Sequence, residues 1–174
     1  VAGVGDADDP DRFAYLAEGN AKQARKRVAA DVLLTDTAGQ ILLVNPTYKP
    51  DWDMPGGMAE ANEPPRAAAR RELREELGLD LEVGQLLVLE WAPPHGPWDD
   101  TLMFVFDGGT LDDATIATLQ PTDAELDELA FMPADDARSL LRPYVWHRLN
   151  AALQARQDAT TVYFEAQQHQ QYRG

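Results

Sequence analysis

The segment from Pro64 to Gly78 sets the tightest limit on how this chain folds. Two prolines, Pro64 and Pro65, suit the first turn of a helix, where the missing amide has no partner to lose. From Arg66 to Leu77 the residues favour helix strongly, and Gly78 supplies a C′ stop. A helix turns about 100° per residue, so Glu72, Glu75 and Glu76 share an arc of roughly 100° on one face. Such neighbours repel, and each pair weakens an isolated helix by about 0.2–0.5 kcal/mol. Arg71 and Arg74 offset part of that repulsion, and a hard divalent cation offsets more. Carboxylate oxygens are the ligands that Mg²⁺ and Mn²⁺ favour, and Mg²⁺ also accepts substrate phosphate oxygens. Gly56 and Gly57 allow a tight bend that brings a backbone carbonyl near the same helix.

Around this helix the pattern is one of mixed strands. Val28 to Thr35 and Ile41 to Val44 are apolar and β-branched runs separated by the turn Asp36 to Gly39, and they read as a hairpin. Residues 45 to 57 form a loop, with a short strand over Trp52 to Met54. Further strands are expected over Leu81 to Trp91, Thr101 to Asp107, Glu125 to Met132 and Val162 to Phe164. Helices are expected from Pro133 to about Leu141 and from Pro143 to about Arg156. A helix over residues 11 to 26 carries Phe13, Tyr15 and Leu16 and ends in the basic cluster Arg25 to Arg27. Residues 1 to 10 and the Gln-rich end, Gln167 to Gly174, read as loose. One central helix, a late helical pair and interleaved strands indicate an α/β (α+β) layered fold and exclude a bundle or a sandwich of sheets.

Composition narrows the function. The 174 residues include 15 Lys and Arg against 30 Asp and Glu, a net charge of −15. Such a balance argues against a nucleic-acid groove or an anionic-membrane patch. It allows a phosphorylated substrate if a cation mediates the contact. With no cysteine there is no disulfide, thiolate nucleophile or cysteine-ligated zinc. No apolar run approaches the roughly 20 residues that span a bilayer. The opening Val1 to Pro10 is too polar for a signal peptide, so a cytoplasmic protein is the expectation.

Three glutamates at this spacing also occur on solvated helices, so the whole pattern has to decide. From Gly57 to Leu79 the chain reads G-x5-E-x7-R-E-U-x-E-E-x-G-U, with U apolar. Gly57, Glu63, Arg71, Glu72, Glu75, Glu76 and Gly78 fill the fixed positions, and Leu73 and Leu79 fill the apolar ones. This is a complete Nudix box, and the chain resembles the Nudix hydrolase family. The resemblance implies an α/β/α sandwich with a mixed sheet and the catalytic loop–helix at 57–78. It divides the chain into an N-terminal extension (1–26), a hydrolase domain (27–157) and a C-terminal strand and tail (158–174). It also implies divalent-metal-dependent hydrolysis of a diphosphate bond in a nucleoside diphosphate derivative, ADP-ribose-like or a nucleoside triphosphate.

Position by position, Glu72, Glu75 and Glu76 resemble the family's metal-binding carboxylates. Gly57 matches a residue whose carbonyl joins the coordination, and Arg71 matches the arginine that orients the glutamates. Glu63 and Gly78 take structural roles in the motif. The general base is either the Glu72 position or a later carboxylate among Glu125, Asp127 and Glu128, of which Glu128 is the first choice. The expected reaction is in-line attack by a metal-activated water on one phosphorus, with Mg²⁺ or Mn²⁺ neutralising phosphate charge. Pro94 lies where ADP-ribose pyrophosphatases of the family often carry a proline, although a Pro-rich turn explains it as well. Trp52 and Phe131 are assigned to substrate stacking, with Tyr48 and Trp98 as further aromatics able to hold a base; packing competes for each. The partner expected is thus a small nucleotide diphosphate, with no nucleic acid and no membrane. The helix from Pro143 packs on the sheet and also offers a homodimer interface. A catalytically silent ligand-binding module is the competing reading, and the intact set of box glutamates argues against it.

Overall fold

The structure, a computed structural model, describes residues 9–122 and 124–166. The expected Gln-rich tail and most of the loose start lie outside the described residues. Seven strands form one mixed sheet: β1 (Arg27–Thr35), β2 (Ile41–Pro46), β3 (Gly56–Met58), β4 (Leu86–Ala92), β5 (Thr101–Thr110), β6 (Leu126–Met132) and β7 (Val162–Glu165). Their order is β6-β2-β1-β5-β4-β7, with β3 pairing β1. The β1–β5 and β4–β7 pairs are parallel and the others antiparallel.

Strand β1 alternates its side chains between two cores, as a period of two requires. Ala30, Val32 and Leu34 face the helix α2 (Pro65–Leu77), which buries Ala68, Ala69, Leu73 and Leu77 against them. Leu33 faces the opposite layer with Ile41, Leu43 and Val105, covered by α4 (Ala134–Leu140) and α5 (Pro143–Gln157). Helix, sheet, helix pair: the expected α/β/α layering is present. Two short helices complete the set, α1 (Pro10–Ala21) and α3 (Asp113–Ile116).

Four expectations change. The helix α1 ends at Ala21, and the basic cluster beyond it serves the start of the sheet. Arg27 N–H donates to the Asp100 carbonyl at 3.2 Å, while Lys26 pairs with the Asp100 carboxylate. Residues 81–85 are not strand, because Arg66 Nη1 takes the Val83 and Gly84 carbonyls and Leu81 and Val83 turn into the α2-side core. The loop before α2 contains a strand, β3, that the sequence does not announce. The β1–β2 hairpin supplies the reason: β2 meets β1 at Thr35↔Ile41, and nearer the start of β1 the partners are Met58, Gly57 and Gly56, opposite Ala29, Ala30 and Asp31. That splayed hairpin seats the loop against the sheet. Helix α3, capped by Asp112 accepting from Thr115 N–H, is a further element that the sequence pattern does not announce.

The start and stop of α2 agree with expectation. Pro64 is its N-cap, and Gly78 closes it at φ 66°, where its N–H reaches the Arg74 and Leu73 carbonyls. A left-handed residue there releases the chain toward Leu79, which returns to the core.

Candidate active site

Arg71 organises the exposed side of α2. Its Nε and Nη2 donate to the two oxygens of Glu63, each at 3.0 Å, a bidentate pairing. Nη2 also donates to the Met58 carbonyl at 2.9 Å, tying helix to β3. Nη1 reaches Glu72 Oε1 at 3.0 Å and Glu75 Oε2 at 2.7 Å. These contacts, that with Glu63 foremost, raise the affinity of the guanidinium for its proton. Hydrogen bonding to Arg71 in turn lowers the Glu63 carboxyl. Glu63 Oε2 also accepts from the Glu60 N–H, closing the loop before the helix.

Glu76 lies on the same face, one turn from Glu72. Its Oε2 accepts from Gly56 N–H at 2.9 Å. Burial pushes its carboxyl up to about 8; the Gly56 amide opposes the shift, and the charges of Glu72, Asp31 and Asp53 add to it. Burial also raises Glu72, against the pull of Arg71. Both glutamates line a cavity of about 220 Å³ with Gly56, Gly57, Tyr48 and Glu125. A Cβ at position 57 would lie 2.5 Å from Glu72 Oε1 and would push that carboxylate aside. At Gly56, with φ 142°, a side chain would run into the Ala30 carbonyl on β1.

The three box glutamates do not converge on one point. Glu75 is turned outward onto Arg71, its side chain 53% exposed. Among the described residues, no group of three or more carboxylates or imidazoles is spaced to hold an ion as the side chains stand. What does converge is Glu72, Glu76 and the Gly57 backbone. These are oxygen donors around a space that a Cβ would fill, and they suit a hard cation in donor type. The raised Glu76 carboxyl points the same way, since a divalent cation favours the ionised form.

Of the later carboxylates, Glu125 borders this cavity, at the start of β6. Glu128, the first choice, is exposed on β6 opposite Asn45 and does not line it. The β2–β6 register shifts between them, with Asn45 opposite Glu128 and Pro46 opposite Leu126, so simple alternation along the strand does not forecast which of the two borders the cavity. The stacking residues change as well. Phe131 pairs with Leu42 and packs in the α2-side core. Trp52 bridges to Leu141 and packs in the α5-side core. Pro94 is exposed on the β4–β5 loop. None of the three lines the cavity just described or the larger one beside it.

That larger cavity, about 360 Å³, sits on the α5 side of the sheet and shares Tyr48 and Met58 with the smaller one. Trp98 and Tyr144 contribute aromatic surface, and Arg27, Lys49 and Arg142 bring positive charge. Arg27 lies over the Trp98 ring, 4.7 Å from its centre, with Thr101 Oγ1 accepting from its Nη1 at 3.3 Å. Lys49 is held by Asp53 at 2.5 Å and Arg142 by Asp51 at 2.6 Å. These residues are scattered through the sequence, and only the splayed hairpin and the start of α5 bring them together; Arg27 in particular reads as a solvated flank until β1 is seen to start there.

Residues 25–155 match the model of the NUDIX domain family. The chain is 39% identical over 64 residues to diphosphoinositol polyphosphate phosphohydrolase 2 of Rattus norvegicus, a match covering 36% of each chain. The chain thus spans little more than a third of the length of such curated relatives. A UDP-X diphosphatase structure superposes with TM-score 0.68 at 19% identity, over 91% of this chain and 75% of that one. The MutT protein of Methanosarcina mazei Go1 gives 0.62 at 18%, over 79% and 99%. An ADP-ribose pyrophosphatase from Streptococcus suis 89-1591 gives 0.59 at 20%, over 82% and 100%. These structural likenesses concern the fold alone. A family match across three-quarters of the sequence, centred on a loop–helix that carries every fixed residue of the box, means that the chain belongs to the Nudix hydrolase family.

Proposed function

We propose that this chain is a pyrophosphohydrolase that cleaves the P–O–P linkage of a nucleoside diphosphate derivative, either ADP-ribose-like or a nucleoside triphosphate. The observation that carries the reading is the pairing of Glu72 and Glu76 on one cavity wall beside Gly57, with Glu76 buried enough to resist ionisation unless a cation joins it. Glu72, Glu76 and the Gly57 carbonyl, with Glu75 alongside, are the groups that would hold Mg²⁺ or Mn²⁺. Such an ion, when bound, polarises a phosphoryl oxygen and lowers the pKa of water. Arg71 keeps Glu72 and Glu75 oriented and is itself fixed by Glu63. Glu125, on the border of the cavity, takes the place of Glu128 as the carboxylate that accepts the proton of the attacking water. The part of the substrate beyond the scissile bond occupies the larger cavity, where Tyr48, Trp98 and Tyr144 offer flat surfaces.

A screen of substrates with Mg²⁺ or Mn²⁺ tests this. The panel comprises ADP-ribose, NADH, dinucleoside polyphosphates, deoxynucleoside triphosphates and, because of the curated relatives, a diphosphoinositol polyphosphate. Release of phosphate or a nucleoside monophosphate from at least one is expected, with a large fall in Glu76→Gln. Turnover that survives Glu76→Gln or excess chelator would contradict the reading.

A further inference from the structure

The larger cavity has a charged floor that the hydrolytic reading leaves unused. Asp31 on β1, Glu90 on β4 and Arg148 on α5 are all buried, with exposures of 6%, 1% and 3%. Arg148 Nε donates to Glu90 Oε2 at 2.6 Å and Nη1 to Asp31 Oδ2 at 3.3 Å. Two buried carboxylates therefore share one guanidinium, and Glu90 has the shorter contact. Packing does not account for Asp31. Its neighbours along β1 are Ala29, Ala30, Val32, Leu33 and Leu34, and an apolar residue would suit the strand better. A buried carboxylate is costly unless its oxygens are satisfied. Among the described residues the Asp31 side chain accepts that one hydrogen bond, whereas a carboxylate offers about four acceptor sites. The remaining oxygen belongs to a side chain that lines this cavity, which shares Tyr48 and Met58 with the one lined by Glu72 and Glu76.

We propose that Asp31 is a specificity-determining acceptor, receiving an O–H or N–H donor from the sugar or nucleoside that the scissile diphosphate carries. The inference rests on the hydrolytic reading of the neighbouring cavity. A phosphate offers only acceptor oxygens and is better met by Arg27, Lys49 and Arg142 on the same wall, so the moiety that reaches the open acceptor sites of Asp31 is one that bears donors. Replacing Asp31 leaves the shorter Arg148–Glu90 contact in place.

Calorimetric titration of wild type, Asp31→Asn and Asp31→Ala in excess chelator, where no turnover intervenes, separates these roles. The probes are ADP-ribose, UDP-glucose, ADP and methyl diphosphate, which has no donor beyond the diphosphate. Asp31→Ala is expected to weaken ADP-ribose and UDP-glucose about tenfold or more, with Asp31→Asn between it and wild type and methyl diphosphate unchanged. Loss shared by ADP assigns the donor to the nucleoside; loss confined to the sugar-linked probes assigns it to the distal sugar. Three results would overturn the proposal: unchanged affinity for both sugar-linked probes in Asp31→Ala, an equal loss for methyl diphosphate, or wild type preferring neither sugar-linked probe to methyl diphosphate. Melting curves of both variants verify folding, and Glu76→Ala, with Asp31 intact, is expected to keep the preference for sugar-linked probes. Wild type that binds as described and hydrolyses neither these probes nor any member of the substrate panel with Mg²⁺ or Mn²⁺ would sink the hydrolytic reading instead.

Discussion

Arg71 grips Glu63 with two nitrogens and still reaches Glu72, Glu75 and the Met58 carbonyl. A lysine supplies the charge without the planar fork, so it cannot keep all of these partners. Arg71→Lys is expected to lower kcat by about a hundredfold, since a displacement of about 1 Å at a reacting centre costs that much. Circular dichroism should find its helix content unchanged; wild-type kcat in this variant would remove Arg71 from the site. Gly57→Ala acts on the same carboxylate from the other side. Its methyl would displace Glu72, whose Oε1 lies 2.5 Å from the ideal Cβ position, so steady-state assays should find kcat reduced and the requirement for divalent cation increased.

The helix α2 was legible in the sequence because each of its signals is local: prolines at its start, helix formers through its length and a glycine at φ 66° after its end. Gly78→Ala is accordingly expected to lower stability by about 1 kcal/mol, read as a lower urea midpoint, while activity per folded molecule is retained. Strand β3 was not legible. Its three residues, Gly56 to Met58, have no strand propensity, and pairing with β1 alone makes them a strand. Non-local packing also separates the aromatics, with Trp52 and Phe131 entering the two cores while Tyr48 and Trp98 line the cavity. An aromatic in an apolar run has the same local signature whether it enters a core or a cleft. Glu125 and Glu128 look alike in the sequence, and Glu125 borders the cavity while Glu128 does not, an outcome of how β6 pairs with β2.

The whole molecule carries a net charge of −15, yet it buries Asp31, Glu90 and much of Glu76. Removing the guanidinium that bridges the first two, by Arg148→Met, is expected to cost about 3–5 kcal/mol in urea denaturation, because both carboxylates lose an ion pair. Burial raises Asp31 to about 7 from 3.8 and Glu76 to about 8 from 4.5. An acid whose folded-state pKa is raised holds its proton more tightly when native than when unfolded. In chelator, these two groups therefore make stability fall as pH rises from about 4 to about 8, and level off above that. Melting temperatures across that range are expected to follow this slope, and a bound divalent cation should flatten the part due to Glu76. Titration of Mn²⁺ into wild type, Glu72→Gln and Glu76→Gln, followed by electron paramagnetic resonance, probes the carboxylate pair directly. Saturable binding by wild type and affinity at least about tenfold weaker in both variants is the expected result. Equal Mn²⁺ affinity in all three proteins would contradict a cation held by Glu72 and Glu76.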